Sequence, residues 1–413
     1  MAIIFSSRSR GEGVRLRYAD SSAILYQYVE IPPAKQFSDY AMQLSGKAAD
    51  SEQPPKSPSL AAHAMDLPLD VELEATLSLM DVRTPYNIKD LLIQRELTNR
   101  LCADDILADF VGITHQQYTI PGPRGNITVS VFSKDEKTSS NNLGIFYVHP
   151  GGVILGNRFL DCATALEWVQ HFGAICVTAE YRLAPENPHP APIEDCYTAL
   201  QWMVKSASIL DFDPALLMIV GISGGGGIAA ALSLLCRQDG PSIAAQVLIC
   251  PMLDPSNNTI SAQQKVPPGI WDRASNSFGW NCILGDNCQN ESISIFAAPG
   301  RATTADLDGL PPTFIDVGES EIFRDECVAY ASKLWAAGIS TELHVWPGAF
   351  HGFDLNIPKA AISRTARATR TAWVWRWLRR YRTTSQLNSL CDKSCRTSIN
   401  VMDCFEIPDS VNI

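Results

Sequence analysis

The chain has 413 residues, with 33 Lys+Arg against 44 Asp+Glu for a formal charge of −11, and 46% of it is apolar. That apolar share suits a folded core and excludes a wholly disordered chain. The acidic balance argues against a nucleic-acid partner, whose phosphates need a basic face. No run reaches 18 apolar residues, so no membrane span is expected.

After Met1, the opening MAIIFSSRSRGEG places only four apolar residues, Ala2–Phe5, before Ser and Arg. This is short for a signal-peptide core and predicts a cytoplasmic chain. Twelve cysteines would suit a disulfide scaffold only in a much smaller secreted domain. Cys176 in AICVTAEY and Cys250 in QVLICPML sit inside apolar runs and read as small buried hydrophobes. The sequons at Asn126, Asn257 and Asn290 carry little weight in a reducing compartment. Cys391, Cys395 and Cys404 lie in a polar tail without a nearby His, which argues against a zinc site there. The cysteines are read as mostly free thiols.

In chain order, residues 1–60 show no sustained period and are expected to be irregular, with QPPKSPS (53–59) as a linker. Residues 61–112 turn helical, with Leu73, Leu77, Leu91, Leu92, Leu101, Ile106 and Phe110 at helical spacings. QQYTI and NITVSVF form a strand pair around Pro121–Gly125. Strands are then predicted at 142–149, 174–181, 216–222, 244–251, 312–318 and 341–346, with helices at 161–172, 193–209, 225–237 and 324–337 between them. This alternation predicts an α/β fold whose mostly parallel sheet is covered on both faces over 113–382.

The long polar stretch 256–296 is expected to be a lid-like insertion forming a wall or lid. The last helix, 358–382, carries eight Lys/Arg and no acid, and Ile362, Ala366, Trp373, Trp377 and Tyr381 share one of its faces. A membrane-surface role would fit such a helix. A Trp stripe packed on the sheet, with arginines solvated or paired to acids, is the preferred reading. The polar tail 383–413 receives no function.

The chemistry concentrates at Gly221-Ile222-Ser223-Gly224-Gly225, directly after an apolar strand and before the helical GGIAAALSLLC. A strand, a sharp turn and a helix are what a nucleophilic serine requires, with flanking glycines that avoid clashes in a strained backbone. The competing reading is a dinucleotide phosphate turn, but GISGGGG lacks the G-x-G-x-x-G register and no P-loop Lys follows. A serine hydroxyl needs a base, and the base an orienting carboxylate, in the chain order Ser, acid, His.

His344 alternates within TELHVW and reads as a sheet-face residue, whereas His351 in the Gly-flanked loop PGAFHGFD is the predicted base. Glu319, Glu321, Asp325 and Glu326 compete for the acid. Asp316 lies within the strand itself. Asp325 and Glu326 are explained as helix N-terminal acids, and spacing leaves Glu319 and Glu321 open. His149-Pro150-Gly151-Gly152 closes an earlier strand and can aim backbone N–H groups at an oxyanion together with the N–H of Gly224.

HPGG (149–152), YRLAPENPHPAPIEDCYTAL (181–200), DPALLMIVGISGGG (213–226), GLPPTFIDVGESEIFRDE (309–326) and PGAFHGF (347–353), in that order, resemble the hormone-sensitive-lipase-like branch of α/β-hydrolase esterases. The resemblance covers about 110–380, and the wording of the last motifs is similar to fungal members. It implies an α/β-hydrolase fold with an N-terminal helical cap, which fits 61–112. The family's H-G-G-G motif falls on His149–Gly152, making Gly151 and Gly152 oxyanion donors, with Pro150 at a position that donates nothing. G-D-S-A-G falls on Gly221–Gly225, with Ile222 in place of an Asp that would hydrogen-bond behind the serine. The acid falls on Glu321, and the base on His351.

The resemblance thus implies a Ser223–His351–Glu321 hydrolase of a small-molecule ester, with no metal or cofactor. It is either a general esterase or a tailoring enzyme of secondary metabolism. A thioesterase or acyltransferase would use the same triad, and a non-catalytic small-molecule receptor would use the same fold. Pairing through a late strand or the C-terminal helix would make a dimer.

Overall fold

The computed structural model of the protein describes residues 4–6, 14–17, 26–29, 67–80, 87–135, 143–264, 271–285 and 292–393, with side chains of the last helix to residue 381. The linker expected at 53–59 and the tail from 394 lie outside the described residues. Within the segment expected to be irregular, β1 (Ile4–Ser6), β2 (Val14–Arg17) and β3 (Tyr26–Val29) pair as a small antiparallel sheet. Strands of three or four residues are too short to display an alternation against which to recognise them.

The main sheet has eight strands: β4 (Ile113–Gly122), β5 (Gly125–Lys134), β6 (Gly144–Val148), β7 (Ile175–Ala179), β8 (Leu217–Ile222), β9 (Ala245–Ile249), β10 (Thr313–Gly318) and β11 (Thr341–Trp346). Their order across the sheet is β11-β10-β9-β8-β6-β7-β5-β4. The β4–β5 hairpin and the β5–β7 pair are antiparallel; every other pairing is parallel. All residues of β6 to β10 are buried, as they must be in strands covered on both faces, while the edge strands β4 and β11 are mostly part-exposed.

Helices α1 (Val71–Leu77), α2 (Ile88–Thr98) and α3 (Ala103–Leu107) precede this sheet. Between strands run α4 (Ala163–Phe172), α5 (Ala191–Lys205), α6 (Gly224–Asp239), α7 (Arg273–Leu284) in the insertion, and α8 (Arg324–Ala336). The last helix, α9 (Ala361–Lys393), continues 11 residues past its expected end, through a polar stretch that holds no Gly or Pro to stop it.

Its Trp stripe faces inward: Ala366, Trp373 and Trp377 are buried, and Trp373 meets Phe314 of β10. Arg367 pairs with Glu167 of α4 and Arg376 with Glu342 of β11, so the basic face is partly neutralised by the protein's own acids. A stripe occupied this way is a core contact.

Candidate active site

Every chemistry-bearing residue predicted from the sequence lies at or just beyond the carboxyl end of a parallel strand: His149 after β6, Ser223 after β8, Glu321 after β10 and His351 after β11. Ligands of open α/β sheets bind at that edge. Ser223 has φ 55 and ψ −120, a conformation non-glycine residues avoid. It is held there on three sides: its N–H donates to Ile249 O (2.8 Å), and its own carbonyl accepts from the N–H groups of Gly227 (3.1 Å) and Met252 (3.0 Å). The flanking glycines are steric necessities. A Cβ on Gly221 would lie 2.3 Å from Gly225 O, and one on Gly225 would lie 2.3 Å from Val148 O.

His351 Nε2 is 2.9 Å from Ser223 Oγ, and Nδ1 is 3.2 Å from Glu321 Oε2. These are the separations needed for a proton relay from hydroxyl to imidazole with a carboxylate behind it. Glu321 is fully buried. Burial pushes its carboxyl pKa above the ordinary value, and the adjacent imidazole pulls the other way. The His loop is anchored to its surroundings: Glu319 Oε2 accepts from Gly348 N (3.0 Å), Gly348 O accepts from Asp70 N (3.0 Å), and Leu73 of α1 packs among Trp346, Phe350 and Phe353. Of the two acids that spacing left open, Glu321 thus meets the imidazole, and Glu319 braces the loop that carries it.

The competing candidates lie where the sequence put them, outside the Ser223–His351–Glu321 line, and only the capping role of the two acids is corrected. Asp325 and Glu326 do stand in the first turn of α8, but neither caps it. Asp325 Oδ2 accepts from Ser261 N (2.7 Å) in the insertion and Glu326 Oε1 from Leu253 N (2.7 Å) beyond β9. They fasten neighbouring segments to the acid-bearing loop. His344 stays on the sheet, bonded to Glu342 (3.0 Å) and stacked between Phe314 and Trp346.

The turn 149–153 stands against the start of α6. Gly151 and Gly152 have φ 115 and 58, and a Cβ on Gly224 would lie 2.9 Å from Gly152 N. The Gly152 amide therefore adjoins the start of α6, where Gly224 contributes one of the unpaired N–H groups that open a helix. His149 is wholly buried; its Nδ1 donates to Pro150 O (2.8 Å), and its ring stacks on Tyr181 at 4.1 Å. Burial lowers its pKa to about 4, so it is a neutral strut. The YRLAPE motif braces the same turn. Tyr181 Oη donates to His149 O (2.9 Å), Ala184 N to Val153 O (3.0 Å), and Arg182 forks onto Asp195 with two 2.7 Å bonds. From α2, Arg95 donates to Ile154 O (2.6 Å) and Ala184 O (2.5 Å).

A small cleft opens beside Gly224 and Val153, lined by Ile193, Ile228, Met252 and Phe296, with His189 among its few polar groups. The insertion closes one side. Trp280 and Ile283 of α7 line the cavity, and Trp271 lies over Gly152 so closely that a Cβ there would be 2.4 Å from the indole. One group of possible metal donors occurs among the described residues: Cys250, Glu321 and His351 offer ligand atoms within 4.8 Å of one another.

One feature escaped the sequence reading. Arg370 of α9 is buried between Asp316 of β10 and Asp354, three residues past the His. Asp316 also accepts from Trp346 Nε1 (3.0 Å). The signal was present: Arg370 follows Ala366 by four residues and precedes Trp373 by three, on the apolar face, while Asp316 interrupts an apolar strand.

Known proteins share this fold. Residues 145–355 match a family model described as alpha/beta hydrolase fold. Carboxylesterase NlhH of Mycobacterium tuberculosis is 33% identical over 293 residues, 70% of this chain and 84% of that protein. Among solved structures, a bacterial heroin esterase superposes with TM-score 0.69 at 33% identity over 75% of this chain and 98% of its own. Esterase LipW from Mycobacterium marinum does so with 0.67 at 31% over 75% and 96%. With strand order, elbow and matched span in accord, the chain belongs to the α/β-hydrolase family.

Proposed function

We propose that this chain is a serine ester hydrolase of small to medium-sized carboxylic esters. The carrying observation is the continuous line Ser223 Oγ, His351 Nε2, His351 Nδ1, Glu321 Oε2, at 2.9 and 3.2 Å, assembled from three separate strand ends. Ser223 attacks the ester carbonyl while His351 takes the hydroxyl proton, and Glu321 orients the imidazole and stabilises its charged form. The N–H groups of Gly151, Gly152 and Gly224 hold the oxyanion, each worth about 3–4 kcal/mol in the transition state. His351 returns the proton to the departing alcohol, and water then repeats the sequence on the acyl-enzyme. The apolar cavity beside Gly224 takes the acyl group. An imidazole bonded to the hydroxyl favours catalysis over passive ligand binding on this fold.

Eight unbridged cysteines among the described residues support a reducing, cytoplasmic setting, which a fluorescent fusion tests by excluding or finding an organellar signal. For the reaction, Ser223→Ala is expected to abolish turnover of p-nitrophenyl butyrate with an unchanged circular-dichroism spectrum. Retained turnover in that variant overturns the assignment.

A further inference from the structure

The catalytic line leaves one adjacent nucleophile without a task. Cys250 follows β9 directly, has φ 38, a strained value for a residue with a side chain, and is buried. Its N–H donates to Asp316 O (2.7 Å), which pins it to β10. Its thiol, a carboxylate oxygen of Glu321 and a ring nitrogen of His351 fall within 4.8 Å of one another. Glu321 Oε1 is buried and makes no hydrogen bond among the described residues, while Oε2 meets His351.

We propose that Cys250, Glu321 and His351 form an inhibitory site for a borderline-soft divalent cation of the zinc class. Thiolate, imidazole and carboxylate are the zinc donor set, whereas calcium and magnesium select oxygen alone. Tetrahedral ligands at zinc bond lengths stand roughly 3.3–3.8 Å apart; the imidazole and carboxylate are already that close at 3.2 Å, and the thiol, within 4.8 Å of both, closes by at most about 1–1.5 Å on binding. The route in is the His351 ring, whose side chain is 12% exposed on a loop bounded by Gly348 and Gly352, both with positive φ. Binding releases the thiol proton to water, and the imidazole proton moves from Nδ1 to Nε2 so that Nδ1 can ligate. Two negative ligands then neutralise the cation, which lowers the cost of burial. With Nε2 protonated, His351 donates to Ser223 and can no longer accept its proton. Inhibition thus acts through the tautomer and leaves the substrate cavity unobstructed.

This inference rests on the proposed triad for its effect on turnover, but not for its binding, so the two are tested apart. Cobalt(II) is titrated into the full chain while the near-ultraviolet thiolate-to-cobalt charge-transfer band and ester turnover are recorded. One equivalent is expected to raise the band and cut turnover at a shared midpoint, with EDTA reversing both. Cys250→Ser is expected to lose the band and to raise the inhibitory midpoint roughly tenfold or more; its thermal midpoint and metal-free turnover confirm folding. Ser223→Ala, inactive on the proposed mechanism, is expected to keep the band. No band in the native chain, or an equal band in Cys250→Ser, overturns the site whatever the fate of the triad. A band in Ser223→Ala together with undiminished metal-free turnover overturns the triad and leaves the site standing.

Discussion

Replacing Arg370 with methionine tests how the loop carrying His351 is held. The guanidinium bonds Asp316 through Nε (2.7 Å) and Asp354 through Nη1, all three groups being essentially inaccessible. Burial raises the Asp316 carboxyl pKa, and Arg370 opposes that shift. Without the arginine, two carboxylates are left buried with no cation. Breaking such a pair costs about 3–5 kcal/mol. In a domain of this size that lowers the thermal midpoint by roughly 6–10 °C. Asp354 lies three residues beyond His351, so the loop shifts as well. A misplacement near 1 Å costs up to about 10²-fold in kcat. Differential scanning calorimetry and butyrate kinetics on Arg370→Met read both effects. Adding Asp316→Asn and Asp354→Asn removes the stranded charges and is expected to restore most of the stability. A single variant that melts within about 2 °C of the parent, or a triple variant no more stable than the single, refutes the reasoning.

Glu321→Gln keeps the shape but not the charge behind His351, and kcat for butyrate is expected to fall by about 10⁴, with KM little changed. Gly152→Ala puts a methyl 2.4 Å from the Trp271 indole at φ 58; the displaced amide is expected to lower kcat by about 10²–10³. His149 contributes an acid limb to stability. Its folded pKa of about 4 lies below the ordinary 6.5, so the unfolded chain binds the extra proton between these values. Its contribution is complete above pH 6.5 and shrinks by about 3 kcal/mol as pH falls to 4. Urea titrations from pH 7 to 4 should show a shallower decline in His149→Gln than in the parent.

The buried strands β6 to β10 were legible because such strands are short apolar runs bounded by turn residues, as 216–222 and 312–318 show plainly, whereas the β4–β5 hairpin was legible from the turn residues Pro121–Gly125 between two β-prone runs. The elbow was legible because a serine set among glycines, with an apolar strand before it and a helix after it, meets the steric demands of a nucleophile's turn. The choice of acid was not legible from spacing. Glu319 and Glu321 differ by two positions in an irregular loop, where no periodicity says which side chain turns inward; only family likeness separated them. The Arg370 network stayed hidden because charge was counted along α9 rather than by face. The tether roles of Asp325 and Glu326 depend on segments some 60–70 residues away, which local sequence does not report.

Trp271 lies between two glycines. Its ring edge comes within van der Waals reach of any Cβ on Gly152 or on Gly279 of α7, and its Nε1 bonds Asn276 (3.3 Å). The indole is thus shared property of the turn at Gly152 and the insertion. A descendant that changed its diet by trading the whole 256–296 stretch would have to carry a flat ring at the same spot or let the turn sag. Evolutionary exploration should therefore proceed by drift around this tryptophan, at neighbours such as Ile283 and Trp280, rather than by wholesale exchange.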